Sequence, residues 1–305
     1  MLHELTDSLQ LTPTQFIGIP LAIIGAVFLS VGTQLQNRGV GKVEANTQSA
    51  QGKGLSLKQL GLLLARPSWV SGTLMLGIAI LLQLSSLYFS PLIVVQPLGV
   101  IALVITSIMN SRIAKVKLNR GTIGAITLCV IGVFIFVGVA AFTTTTQPIS
   151  TLQLVIILSL LAVILIALGV VFGLLRHRMS ILFYVIAAGV LYGFVATLAK
   201  VVLGRLQQGH FEWLTALCLV ALLAATALGA YFVQNAYSSG PPDMVVAGLT
   251  VIDPLVAVLI GVAVLGEAAF APLWADVVFV ISGGLAIWGV FLLAKHHPQL
   301  SESAK

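Results

Sequence analysis

The chain has 305 residues, of which 59% are hydrophobic and only 8% are charged. So few charges cannot cover a water-soluble protein of this size, so the composition excludes a soluble domain and indicates a chain surrounded by lipid. The net charge of +6 does not indicate nucleic acid as a partner, because Lys and Arg cluster between apolar segments and not along an amphipathic face.

Nine apolar segments are long enough to cross a bilayer, whose core of about 30 Å needs about 20 helical residues. None of them alternates with polar positions as the helices around a soluble core would. We therefore predict an all-α polytopic membrane protein with nine transmembrane helices. The predicted spans are residues 16–36, 69–90, 92–111, 121–141, 151–175, 180–203, 213–237, 244–265 and 272–294.

The connections between these spans alternate in charge. Residues 38–68 and the stretch "RIAKVKLNR" (112–120) are rich in Lys and Arg, whereas Ser90–Pro91 and "TTTTQPIS" (143–150) have none. Because basic residues concentrate in cytoplasmic loops, the pattern predicts the N-terminus outside and the C-terminus inside. The compact loops suit a plasma membrane of the bacterial inner-membrane kind.

An internal repeat joins two distant segments. "VVQPLGVIALVI" (94–105) matches "TVIDPLVAVLIG" (250–261), so that Gln96–Pro97 corresponds to Asp253–Pro254. The loop charges predict that the two segments cross the membrane in opposite directions, which is typical of the inverted repeats of secondary transporters. We predict a 4+5 inverted repeat, with a short outer N-terminus (1–15), a first repeat of four helices (16–141) that includes the cytoplasmic loop 38–68, a second repeat of five helices (151–294) and a cytoplasmic tail (295–305).

Two motifs carry a family resemblance. "FSPLIVVQPLG" (89–99) and "VLGE" (264–267) resemble the EamA-type repeat of the drug/metabolite transporter superfamily, and the nine-helix pattern is closest to the NIPA-type magnesium transporter branch. The resemblance implies an alternating-access transporter, and it places the helix missing from a ten-helix arrangement at the long basic loop. The branch carries an acid and an asparagine where this chain has Ile80 and Gln83, so magnesium transport does not carry over directly.

Asp253 is the leading candidate for a functional residue. A charge at the centre of a bilayer costs roughly 2.5–3.5 kcal/mol on insertion scales, so such a residue usually faces protein or water. Pro254 also removes the hydrogen bond to the carbonyl of Thr250. We predict that Asp253 is a cation ligand, including a metal ligand, or a proton carrier at mid-membrane between the two proline-containing helices. The alternative is an acid that is paired or protonated purely for packing.

The remaining candidates are polar or hinge residues within spans. Gln96 is the counterpart of Asp253, with an interhelical hydrogen bond as its alternative role. Lys200 lies at the outer end of the sixth span, where it either reaches the interface or counters Asp253 or an anionic substrate. Glu267 is expected to be an interfacial acid or a packing residue. The other predicted lining residues are Gln34, Gln83, Tyr192 and Asn235, and the predicted hinges are Pro97 and Pro254.

The predicted function is a secondary transporter that moves a small polar metabolite or a drug-like solute, with proton coupling as an option. Three alternatives are a divalent-cation (magnesium) transporter, a flippase for a lipid-linked precursor and a non-transporting membrane scaffold. The chain contains no "GxxxxGK[ST]" nucleotide-binding loop, so we do not expect transport driven by ATP. No nucleophile has a base within reach, so we expect neither an enzyme nor a cofactor. The expected partners are membrane lipid and the transported substrate, and a homodimer is left open.

Overall fold

The computed structural model describes residues 15–47, 64–113, 120–175, 180–239 and 242–295. Across these ranges the chain forms α-helices joined by short connections, with no strand. In chain order the helices are α1 (Gln15–Thr47), α2 (Pro67–Phe89), α3 (Leu92–Leu98), α4 (Val100–Ile113), α5 (Arg120–Thr143), α6 (Thr151–Leu175), α7 (Ile181–Gln207), α8 (Trp213–Ser239), α9 (Pro242–Ala263) and α10 (Leu273–Lys295).

The nine predicted spans are confirmed within the described residues. Nine helical stretches are long and apolar enough to cross a membrane, with α3 and α4 together forming the third, and their ends differ from the predicted ones by at most four residues. The predicted loop 38–68 begins later than expected, because α1 continues as a helix to Thr47. Residues 48–63, 1–14 and 296–305, which hold the rest of that loop and most of both predicted tails, lie outside the described residues.

Proline residues set the boundaries around the second and third spans. Pro67 begins α2 at a position where a helix needs no N–H donor, and Arg66 before it is extended. Pro91 prevents α2 from continuing into α3, and Ser90 between them adopts an extended backbone with φ −121° and ψ 155°. The chain therefore leaves one helix and enters the next within two residues.

Small residues let several helices approach closely, as is common in membrane proteins. A Cβ atom added to Gly32 of α1 would lie 3.0 Å from the carbonyl oxygen of Gly72 in α2. Between α5 and α10, a Cβ atom added to Gly132 would lie 2.6 Å from the amide nitrogen of Ala286. The α1–α2 and α5–α10 pairs thus pack backbone against backbone.

The helix packing repeats itself. α1 packs on α2 and on the α3–α4 span, and α7 packs in the same way on α8 and α9, while α5 packs on α10 and α3 meets α9. α1 therefore corresponds to α7, and α6 has no counterpart among the other described helices. The predicted position of the missing helix, at loop 38–68, is therefore wrong. It would make α1 the counterpart of α6, but counterparts in an inverted repeat cross the membrane in opposite directions, and these two spans are predicted to cross in the same direction. In the predicted 4+5 division, α6 is the additional helix.

The connections without basic residues meet at one end of the bundle, named here the outer end after the predicted orientation. The amide of Thr145 donates to the carbonyl of Glu267 at 3.0 Å. The side-chain amide of Gln207 donates to the carbonyl of Tyr88 at 2.8 Å. The relative sides of these connections therefore agree with those predicted from the loop charges.

Candidate functional site

Asp253 lies in α9 where this helix packs tightly against α7. A Cβ atom added to Gly193 of α7 would lie 3.0 Å from the carbonyl oxygen of Asp253 and 2.6 Å from Cβ of Val256. The carboxylate oxygen Oδ1 of Asp253 is buried, and no group in the described part of the chain hydrogen-bonds it. Buried polar atoms are nearly always paired, so this oxygen departs from the usual pattern.

Tyr192 lies beside this acid. Its ring packs against α8, where a Cβ atom added to Gly229 would lie 2.9 Å from Cε1 of the ring. The phenol is half-buried and within electrostatic range of the Asp253 carboxylate. Two of the predicted site residues, Tyr192 and Asp253, thus lie on helices that pack together, α7 and α9.

A cavity of about 80 Å³ separates the two proline-containing helices. Pro97 borders it on one side and Thr250 and Pro254 on the other, with apolar residues of α5 and α10 completing its wall. The two predicted hinges therefore meet, as the internal repeat implies. Asp253 is not among the residues that line this cavity: successive residues of an α-helix point about 100° apart, so Asp253 points away from the cavity that Pro254 borders.

The other predicted lining residues are spread over the bundle. Gln96 is buried in α3 beside Pro97, and Gln34 and Gln83 are partly buried in α1 and α2. The side-chain amide of Asn235 donates to the carbonyl of Tyr231 in its own helix at 2.7 Å. The described contacts do not bring these four residues to Asp253.

Lys200 does not reach the membrane interface, and that interpretation is wrong. The residue is only 3% exposed, and its ammonium group donates to the carbonyls of Leu87 and Ser90, each at 2.7 Å. The Leu87 carbonyl would normally accept from the residue four positions later, which is Pro91 and has no N–H. Lys200 therefore supplies the donor that Pro91 lacks. Lys200 lies two turns beyond Tyr192 along α7, so its ammonium group contacts the end of α2 and not Asp253.

Glu267 is a packing residue, as one of its two expected roles implies, and not an interfacial acid. It is 2% exposed, and its Oε1 and Oε2 accept hydrogen bonds from the amides of Leu92 (2.7 Å) and Ile93 (2.8 Å). Burial raises the pKa of Glu267, while Lys200 and the two amides oppose that rise by stabilising the carboxylate. The sequence signal for this role is "VLGE" itself, in which Gly266 adopts a left-handed turn with φ +68°.

The described residues contain no group of three or more His, Cys, Asp or Glu side chains that could hold a metal ion.

A family model described as "Magnesium transporter NIPA" matches residues 14–204, which is more than half of the chain. The chain belongs to the NIPA magnesium transporter family. The described helices agree with a multi-pass membrane protein, and the resemblance to the NIPA-type branch is confirmed. The match contains Gln96, Tyr192 and Lys200, but it ends before Asp253 and Glu267.

This NIPA-family chain is also similar to "Probable magnesium transporter NIPA1" from Arabidopsis thaliana, with 27% identity over 124 residues. The aligned region covers 40% of this chain and 35% of the relative, so the chain matches about a third of the relative's length. No solved structure matches the chain significantly.

Proposed function

We propose that this NIPA-family transporter carries magnesium or a similar divalent cation across the membrane. The observation that carries the proposal is the buried Oδ1 of Asp253, which has no hydrogen-bonding partner among the described residues. The family match and the similarity to a plant protein named as a magnesium transporter support the same cargo.

The chemistry around Asp253 suits a hydrated divalent cation. Magnesium prefers oxygen ligands, usually keeps several of its waters, and is commonly held by one or two carboxylates. A single acid is consistent with this preference, and Tyr192 lies within electrostatic range of it. Pro254 also has no N–H to offer the carbonyl of Thr250, so this oxygen has lost its usual partner within the helix.

A small polar metabolite or drug-like solute is less well supported. Pockets for such ligands are usually about 300–1,000 Å³ in volume and contain a few placed polar groups. The cavity between the two prolines has a volume of about 80 Å³, and Thr250 supplies its only polar side chain. That hydroxyl is already used, since it donates to the carbonyl of Val246 at 2.7 Å.

The two proline-containing helices provide a route for alternating access. Pro97 and Pro254 lie across one cavity in helices that correspond by the internal repeat. Proline-interrupted helices at the interface of inverted repeats are typical of transporters that expose one central site to each side in turn. We take these prolines as hinges, the N-terminus as external, and the bacterial inner membrane as the location.

The test is magnesium uptake into vesicles that contain the purified full-length protein and a trapped magnesium-sensitive dye. We expect Asp253→Asn to lower the initial rate by at least about tenfold, the range seen when groups around a bound metal are removed. The matched control is Asp276→Asn, which changes an exposed acid in the first turn of α10 and should leave the rate within about twofold.

Two outcomes would contradict the proposal. Magnesium uptake by Asp253→Asn at the parental rate would remove Asp253 from the pathway. Uptake of a drug-like cation that depends on Asp253, with no magnesium uptake by the parent protein, would leave a transporter but change its cargo.

A further inference from the structure

Two buried charges hold the break between α2 and α3 at the outer end. We propose that Lys200 and Glu267 form the outer gate of this transporter, and that the outer end opens when Glu267 releases the amides of α3. The inference rests on the proposed transport function, because it assigns a moving part to alternating access. The two residues and the segment that they hold, Leu87–Ile93, are called the outer clamp below.

The outer clamp places each charge at the helix end that attracts it. The carbonyls at the end of α2 carry partial negative charge and have lost their helical partners, and the Lys200 ammonium donates to two of them. The amides at the start of α3 carry partial positive charge, and both oxygens of Glu267 accept from them. The interaction is therefore between charges and backbone, and goes beyond an ordinary ion pair.

The outer clamp is sealed from its surroundings. Lys200 is 3% exposed and Glu267 is 2% exposed, while Leu92 and Ile93 are completely buried. Charges buried to this degree are tolerated only when their hydrogen-bonding groups are well satisfied. Since water has no access to the clamp as it stands, the outer end of the bundle is closed here.

The clamp joins the two groups of helices. Leu87–Ile93 belongs to the first repeat, whereas Lys200 comes from α7 and Glu267 from the connection between α9 and α10. The carbonyl of Glu267 also accepts from the amide of Thr145, which fastens the connection between α5 and α6 to the same point. Opening the outer end must therefore break these contacts together.

Glu267 is mechanically linked to the proposed cation site. Its amide donates to the carbonyl of Gly261 at 3.1 Å, so Glu267 moves with the end of α9. Residues 254–263 of α9 span about 15 Å, so a rotation of about 10° at Pro254 moves the far end by about 2.5 Å. Such a displacement is enough to break hydrogen bonds of 2.7 and 2.8 Å to Leu92 and Ile93. Cation binding at Asp253, next to the hinge, could thus move Glu267 and break its hydrogen bonds to α3.

The gate can be followed without any cargo by labelling a buried cysteine. Ser90 is completely buried within the clamp, so Ser90→Cys should react slowly with a membrane-impermeant maleimide in vesicles opened to give access to both faces. Adding Glu267→Gln should raise its labelling rate by at least about tenfold, because charge-assisted hydrogen bonds to the amides are lost. The native Cys129, completely buried in α5, should stay unlabelled and so reports that the variant is folded.

Two further variants separate a helix-end clamp from an ordinary ion pair. The exchange K200E/E267K would keep one charge of each sign at the two positions, but it places a carboxylate against carbonyls and an ammonium group against amides. We expect it to leave position 90 as reactive as Glu267→Gln does. Glu212→Gln, which changes a half-exposed acid paired with Arg205 at the same end, should leave labelling of Ser90→Cys unchanged.

Unchanged labelling at position 90 in Glu267→Gln, or slow labelling in the exchanged pair, would overturn the gate. If Glu267→Gln also exposes Cys129, Glu267→Asp decides, because its shorter side chain cannot hold both amides yet keeps the charge. In the Glu267→Asp variant, the cysteine at position 90 should be labelled quickly and Cys129 should stay unlabelled. Slow labelling at position 90 would again overturn the gate. If the parent protein takes up no magnesium but the cysteine labelling is as expected, the magnesium proposal fails and the gate proposal stands.

Discussion

Pro91 and Pro254 create the same backbone problem, and the protein treats them differently. Each proline lacks the N–H that would donate a hydrogen bond to the carbonyl four residues earlier. At Pro91, Lys200 supplies the donor and Glu267 satisfies the amides that follow. At Pro254, the neighbouring Asp253 keeps a buried oxygen with no partner among the described residues. Satisfied charges stabilise one arrangement of helices, whereas a buried polar atom without a partner costs stability.

The largest effect that tests this contrast is expected from Glu267→Ala. The substitution leaves two buried amides and the Lys200 ammonium group without their anion, and breaking a buried charged pair costs about 3–5 kcal/mol. We expect a correspondingly lower unfolding midpoint for the purified protein in detergent. Glu212→Ala, which removes a half-exposed acid paired with the buried Arg205, should cost less, about 1 kcal/mol. Equal losses from the two variants would show that the outer clamp is not a special stabilising feature.

Gly193→Ala, which tests the region around Pro254, should lower the stability of the protein by an intermediate amount. The new methyl group would lie 3.0 Å from the Asp253 carbonyl and 2.6 Å from Cβ of Val256, which forces α9 away from α7. Overpacking of this kind costs about 1–3 kcal/mol and should also slow transport.

The matched control for Gly193→Ala is Gly169→Ala in α6, where an added Cβ meets nothing within 4 Å. That variant should not lose stability, because alanine favours a helix over glycine. A loss of equal size in both variants would remove the argument that α7 and α9 are packed closely around Asp253.

The smallest effect on stability is expected from Asp253→Asn, the variant with the largest expected effect on transport. The described residues make no hydrogen bond to Oδ1 that the substitution could remove. The free energy of unfolding should therefore stay the same or rise by up to about 1 kcal/mol. A stable but inactive protein is the signature of a functional residue. A clearly lowered unfolding midpoint would instead make Asp253 a structural residue.

The spans could be read from sequence because they depend on local properties. In lipid, a backbone segment must satisfy its own hydrogen bonds, so a long apolar stretch has to be a helix. The pairing of Pro97 with Pro254 was also predicted from sequence, through the internal repeat, and both prolines border one cavity.

The partners of the buried charges could not be read in this way. Lys200 contacts a carbonyl 113 residues away, and Glu267 contacts an amide 175 residues away. Nothing in the residues next to Lys200 distinguishes a lysine that reaches the interface from one that caps a distant helix. The direction of Asp253 likewise depends on how α9 is rotated against α7, which packing at Gly189 and Gly193 fixes.

The amino-acid sequence by itself determined the nine membrane crossings, the relative sides of their connections and the correspondence of the two proline-containing segments. These follow from hydrophobicity, charge placement and a repeated motif along the chain. Only the tertiary structure decided which buried charges are satisfied, because a hydrogen bond requires two groups within about 3 Å of each other, whatever their separation in sequence.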